Sequence, residues 1–185
     1  YIYMVINSTP DKVPINFKQS EGIDYFKVNE GKLGDPLRGT ITVDKGNNED
    51  DKNKEYKFAV KVSDGYDPQS LKVLSNSAEL GNSDTLEQEG VTYYIYTLSN
   101  IDKYTTVTAS VEKLKCKLTF KKPPIGAYYT KVGSDTEITE QFTEDGILYG
   151  SNFSFRVKLK DEYSQSKLTV RAGDSEIQPL SDDTY

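Results

Sequence analysis

The chain has 185 residues, enough for one or two domains, and its 29 acidic against 23 basic side chains leave a net charge of −6 that disfavours nucleic-acid backbones. Histidine is absent, which removes the imidazole general base and the His ligand for zinc or haem. No run reaches transmembrane-helix length, and no basic, apolar and small-residue series marks a signal peptide.

Tyr1-Ile-Tyr-Met-Val5 opens as a strand, and Asn7-Ser-Thr-Pro10-Asp11 is a turn signal. Val13-Pro-Ile15-Asn-Phe17 alternates again, with Pro14 suggesting a sheet edge. This opening resembles the later Tyr94-Ile-Tyr96 to Val111, so Phe17 aligns with Val111 and residues 1–17 are expected to be strands of a preceding repeat or a donor segment. Ser20-Glu-Gly22 serves as a linker. A strand at Tyr25–Val28 follows, then a glycine-rich interval through Gly31, Gly34 and Gly39, and a short strand at Thr40–Val43. Residues 44–54 form a polar, acidic loop.

The next stretch organises the chain. Tyr56-Lys-Phe58-Ala-Val60-Lys-Val62 alternates, breaks at Ser63-Asp-Gly65-Tyr66, and resumes to Leu71-Lys-Val73. Ninety-seven residues later the pattern returns as Phe153-Ser-Phe155-Arg-Val157-Lys-Leu159, a turn bearing Asp161 and Tyr163, then Leu168-Thr-Val170. Period-2 alternation puts Phe58, Val60, Val62, Leu71 and Val73 in one core, and Phe155, Val157, Leu159, Leu168 and Val170 in another. Between the copies, residues 75–90 are polar and read as loop, while residues 91–111 carry two strands. Lys115-Cys116-Lys-Leu118-Thr-Phe120 opens the second unit, with the single cysteine on the apolar side as a buried small hydrophobe. Pro123-Pro124 stops that strand, and Tyr128–Val132 resembles Tyr25–Val28. Thr184-Tyr185 aligns with Thr92-Tyr93, so the second unit is expected to lack its last strands.

The resulting domains are 1–17, 18–112 and 113–185, and the fold class is all-β, with antiparallel β-sandwiches in tandem. A small barrel is the architectural alternative.

These motifs resemble the immunoglobulin-like (Ig-like) repeats found in tandem in surface proteins of Gram-positive bacteria. The resemblance rests on Phe58-Ala-Val60-Lys-Val62, Gly65-Tyr66, Leu71-Lys-Val73, Tyr94 to Tyr96, Ser99-Asn100-Ile101 and Thr106-Val107, with Phe153 to Leu159, Tyr163, Ser166 and Leu168 to Val170 in the second unit. It covers core and turn positions and brings no catalytic residues. It implies an extracellular location on a bacterial cell surface and a non-catalytic structural or adhesive role as spacer, stalk or protein-binding repeat. The partners implied are a host or neighbouring surface protein or glycan and neighbouring repeats, with no nucleic acid and no membrane insertion. Head-to-tail strand complementation by residues 1–17 is a further expectation, since an open sheet edge recruits strands.

Two candidate sites stand beside that reading. Asp44, Asn47, Asn48, Glu49, Asp50 and Asp51 offer oxygen ligands suited to calcium, without EF-hand spacing; a solvated acidic loop is the competing interpretation. Tyr93, Tyr104, Tyr128 and Tyr129 offer rings for stacking on sugars, the basis of an alternative role as a carbohydrate-binding module. With no histidine, no nucleophile motif and no phosphate cradle, an enzyme is not expected, and no cofactor other than calcium is implied.

Overall fold

The computed structural model describes residues 12–44, 55–181 and 183–185. The chain is all-β and divides between Leu114 and Lys115 into two compact units. In chain order, unit 1 contains β1 (Lys12–Phe17), β2 (Ile23–Asn29), β3 (Lys32–Leu37), β4 (Gly39–Asp44), β5 (Tyr56–Val62), β6 (Tyr66–Ser75), β7 (Ala78–Glu79), β8 (Asp84–Gln88), β9 (Val91–Leu98) and β10 (Thr105–Lys113). They form two five-stranded sheets, ordered β4-β1-β10-β6-β7 and β3-β2-β5-β9-β8. All pairings are antiparallel except β1 with β10, which run parallel from Ile15 beside Thr105 to Phe17 beside Val107.

Strand alternation builds the core that the two sheets share. Val13, Ile15 and Phe17 of β1 and Val107 and Ala109 of β10 are buried, together with Tyr25, Phe58, Val60, Tyr96 and Leu98 from the other sheet. Burying each large apolar side chain contributes about 1.5–3 kcal/mol. Of the expected core residues, Phe58, Val60 and Val73 are fully buried, whereas Leu71 is partly buried against the cluster.

Three features differ from the local sequence pattern. Residues 12–17 belong to unit 1, between β4 and β10, and supply three of its core side chains. Pro14 is therefore interior to a sheet; the parallel ladder begins at Ile15, so the missing proline N–H falls outside it. The polar interval 75–90 holds strands rather than loop: β8 is an edge strand whose one apolar side chain, Leu86, packs with Phe26 and Tyr93 against Val28, Ala59 and Ile95, on the face of the sheet away from the shared core. The β8–β9 turn at Glu89-Gly90 has φ of 54° and 76°, the left-handed pair that a tight hairpin requires.

Unit 2 contains β11 (Lys115–Phe120), β12 (Ala127–Lys131), β13 (Phe142–Leu148), β14 (Phe155–Leu159), β15 (Val170–Ala172) and β16 (Ser175–Ile177). They pair as three two-stranded antiparallel sheets: β11 with β13, β12 with β14, and β15 with β16. The final residues lie along β14, where Phe155 and Tyr185 exchange backbone hydrogen bonds of 3.1 and 2.9 Å. Burial is sparser here. Val157 is buried, while Phe155, Leu159, Leu168 and Val170 are only half-buried. Cys116, expected inside, is exposed: alternation puts it on the apolar face of β11, and little covers that face.

Candidate functional site

The internal repeat extends beyond β5 and β14. In unit 1, β2 pairs with β5 so that Ile23 faces Val62, Tyr25 faces Val60 and Lys27 faces Phe58. In unit 2, β12 pairs with β14 in the same register: Ala127 faces Leu159, Tyr129 faces Val157 and Lys131 faces Phe155. Five ring positions recur over each pairing, and unit 2 adds a sixth ring, Phe142, stacked on Phe120 at 4.3 Å. Phe17 lies 5.3 Å from Tyr25 and edge-on to Phe58 at 5.2 Å; Phe120 lies 5.4 Å from Tyr129 and edge-on to Phe155 at 4.8 Å. Tyr56 stands 6.3 Å from Phe17, as Phe153 stands 5.9 Å from Phe120. Tyr96 stacks on Phe58 at 5.7 Å and 22°, and Tyr185 stacks on Phe155 at 5.9 Å and 22°. Edge-to-face and offset contacts at these distances follow the ring quadrupole. The geometry changes two alignments made from strand patterns: Phe17 corresponds to Phe120, not Val111, and Tyr185 to Tyr96, not Tyr93.

Burial of these rings shifts their hydroxyls. Burial pushes Tyr25 and Tyr56 up to about 12 and raises Tyr96, with the nearby Tyr94 adding to the last. A raised pKa means that the folded state holds the proton more tightly. The stability this confers is fully present below about 10, the ordinary tyrosine value, and is lost as pH rises through about 12. An alkaline titration should therefore show Tyr25 and Tyr56 ionising only in a step near pH 12 that coincides with loss of the β-sheet circular dichroism signal of unit 1.

A polar cluster flanks the box of unit 1. Lys113 Nζ is 2.9 Å from a Glu21 carboxylate oxygen and 5.8 Å from the centre of the Tyr66 ring. The Tyr66 hydroxyl and then Lys113 hold the Glu21 carboxyl below its ordinary value. Its bond to Glu21 raises Tyr66, and the same carboxylate raises Lys113. All three groups are solvated, so the cluster steadies a surface corner of unit 1.

Unit 2 carries a more enclosed feature, a groove of about 430 Å³. One bank is Leu118–Lys121 and the other is Val170–Gly173, with Ile177 beside it. The rings of Tyr129 and Phe155 form its floor. Among the described residues β11 pairs only with β13, and β15 only with β16, so both banks present unpaired strand edges. Backbone donors and acceptors along two sides of an apolar floor suit an extended polypeptide.

The tyrosines singled out in the sequence are not equivalent. Tyr129 is packed in the box of unit 2, and Tyr93 lies edge-on to Phe26 at 5.5 Å. Tyr128, next to Tyr129 on β12, points to the other face and is half-buried, whereas Tyr104 is 52% exposed. Of the acidic loop, Asp44 is exposed at the end of β4, opposite Lys12, while Asn47, Asn48, Glu49, Asp50 and Asp51 lie outside the described residues. Among the described residues no group of three or more His, Cys, Asp or Glu side chains is placed to hold a metal ion. Sequence reasoning missed the groove; its signal is the correspondence of Phe17 to Phe120, which becomes visible only once the two units are aligned ring by ring.

Compared with known proteins, no family model matches the chain, and neither a curated protein nor a solved structure matches it significantly.

Proposed function

We propose that the chain is a non-catalytic structural or adhesive module of a bacterial surface protein, built from Ig-like β-sandwich repeats and acting as spacer, stalk or protein-binding repeat. The observation that carries this reading is the aromatic box built twice on the same five ring positions with similar contacts, to which unit 2 adds Phe142. The residues that recur between the units are devoted to packing and to turning the chain. A chain that repeats its core while its surface varies suits a role in which reach and shape matter more than chemistry. The two sheets of unit 1, sharing one core and closed by a parallel β1–β10 pair, support the sandwich assignment.

Tyr104 supports a second reading, carbohydrate binding, because its ring is exposed and free to stack on a sugar. A glycan array on the whole chain, with Tyr104→Ala beside it, separates the two. The structural reading expects no glycan signal and an elongated small-angle scattering profile. Glycan binding abolished by Tyr104→Ala would replace it with the carbohydrate reading.

A further inference from the structure

β1 and β10 are the first and last described strands of unit 1, and they are neighbours. They run parallel, with Ile15 beside Thr105, Asn16 beside Thr106 and Phe17 beside Val107. The tie continues past the ladder. The Lys18 N–H donates to the Val107 carbonyl at 2.9 Å, the Ser20 hydroxyl donates to the Ala109 carbonyl at 2.8 Å, and Lys113 Nζ meets Glu21 at 2.9 Å. These contacts advance in step along both segments. They form one seam, from Ile15 to Glu21 on one side and from Thr105 to Lys113 on the other.

The direction of the two strands decides how the seam carries tension. A pull along the chain reaches β1 at Lys12 and β10 at Lys113, and parallel pairing places those residues at opposite ends of the seam. Tension therefore slides β1 along β10, and the bonds that bridge the strands are loaded together. An antiparallel pair joined at the same two places would open from one end, one bond at a time. Neither strand can swing aside, because β4 is bonded to the far side of β1 and β6 to the far side of β10. Sliding also drags side chains across a packed core, since Ile15, Phe17 and Val107 are fully buried. Residues 22–104 lie between the two halves of the seam in the chain, so tension reaches them only after the seam parts.

We propose that unit 1 is a load-bearing module, in which the β1–β10 seam is loaded in shear and holds the fold against tension along the chain. The property belongs to unit 1 itself, so it goes beyond the spacer or stalk reading without resting on it. Ile15, Phe17 and Lys18 carry it on one side, and Thr105, Val107 and Ala109 on the other. Ser20 is the most separable member, because its side chain is exposed and its hydroxyl can be removed without opening the core.

The test holds the whole chain at constant load in an optical trap and times the unfolding of unit 1, a quantity governed by the unfolding rate. In the first geometry the handles sit on the N-terminus and on Cys116, the single cysteine, which is exposed and lies just beyond β10, so the chain after it carries no load. In the second geometry the thiol is moved to the exposed Lys103 by Cys116→Ser with Lys103→Cys. The pull then acts at the end of the seam where Ile15 faces Thr105 and opens it bond by bond. Zero-load unfolding rates of each chain, extrapolated from urea jumps, are divided out, so a change in resting stability cannot mimic the effect. The expected lifetime under load is at least about tenfold longer in the first geometry. Ser20→Ala should shorten that lifetime by about two- to tenfold, the loss of one hydrogen bond, and should act less in the second geometry. Equal lifetimes in the two geometries, or a longer one in the second, would overturn the proposal. So would a Ser20→Ala chain whose lifetime falls by the same factor in both.

Discussion

Replacing Phe58 with alanine is expected to remove most of the stability of unit 1. The ring has no exposed surface and touches Phe17 at 5.2 Å, Tyr25 at 6.3 Å and Tyr96 at 5.7 Å. It therefore joins β1 of one sheet to β2 and β9 of the other, and its removal opens a cavity that three rigid rings cannot fill by small shifts. Truncation of a buried phenylalanine costs about 3–5 kcal/mol. Whole domains are stable by about 5–15 kcal/mol, so a loss of this size leaves little. Phe155→Ala removes the corresponding ring from unit 2, but that ring is half-buried and borders the groove. Part of its surface is already in water, so the expected loss is smaller, about 1–3 kcal/mol. Urea unfolding of the whole chain and both variants, followed by far-UV circular dichroism and tyrosine fluorescence, checks the order. A loss for Phe155→Ala equal to that for Phe58→Ala would mean that burial does not distinguish the two boxes.

The same contrast shows what strand alternation can and cannot say. Phe58, Val60 and Val73 lie in a core because period 2 sorts side chains to faces, and that sorting is local. Cys116 was sorted to the same face as Phe120, yet it is exposed. Which face a residue occupies follows from its neighbours in sequence, but whether that face is covered depends on a strand far away. Alternation is also degenerate. Residues 12–17 fit equally well as a copy of the end of β10 or as a counterpart of β11, and only the contact of Phe17 with Tyr25 and Phe58 decides between them. β8 escaped notice for the opposite reason: an edge strand needs one apolar anchor, here Leu86, and the rest can be polar.

The candidate sites were legible to different degrees for related reasons. Tyr128 and Tyr129 are adjacent, so alternation forces them to opposite faces and only one can be free to stack. The pairing of Tyr129 with Val157 puts Tyr129 over the box. A groove, in contrast, is defined by a neighbour that the described residues do not place beside β11, and no motif within one segment can signal that. It emerges from comparing two copies of one design: β1 has β10 beside it, whereas among the described residues β11 pairs only with β13.

The second large effect is expected at a corner that the units also share. Gly22 has φ of 78°, and a Cβ built on it would meet the Tyr66 ring at 2.8 Å. Its carbonyl accepts the Ser63 N–H at 2.9 Å, and the Ser63 carbonyl accepts the Tyr66 N–H at 3.3 Å. Gly126 repeats the arrangement with φ of 88°, a Tyr163 ring 2.5 Å from its built Cβ, and bonds of 2.9 and 2.8 Å through Lys160. The tyrosine ring lies flat against the glycine backbone, so the glycine meets two demands at once, a left-handed backbone and space for the ring. Gly31 supplies the control, since its φ is 75° and nothing lies within 4 Å of its built Cβ. Gly31→Ala should cost only the conformational part, about 1–2 kcal/mol. Gly22→Ala should cost that plus about 1–3 kcal/mol for displacing the ring. In a Tyr66→Ala background the ring contribution vanishes, so the cost of Gly22→Ala should fall to that of Gly31→Ala. The difference is the coupling energy of a double-mutant cycle, measured by urea unfolding. A cycle that closes with no coupling would mean that Tyr66 moves aside freely and does not lock the corner. A matching coupling between Gly126 and Tyr163 would show that both units fasten the same turn by the same contact.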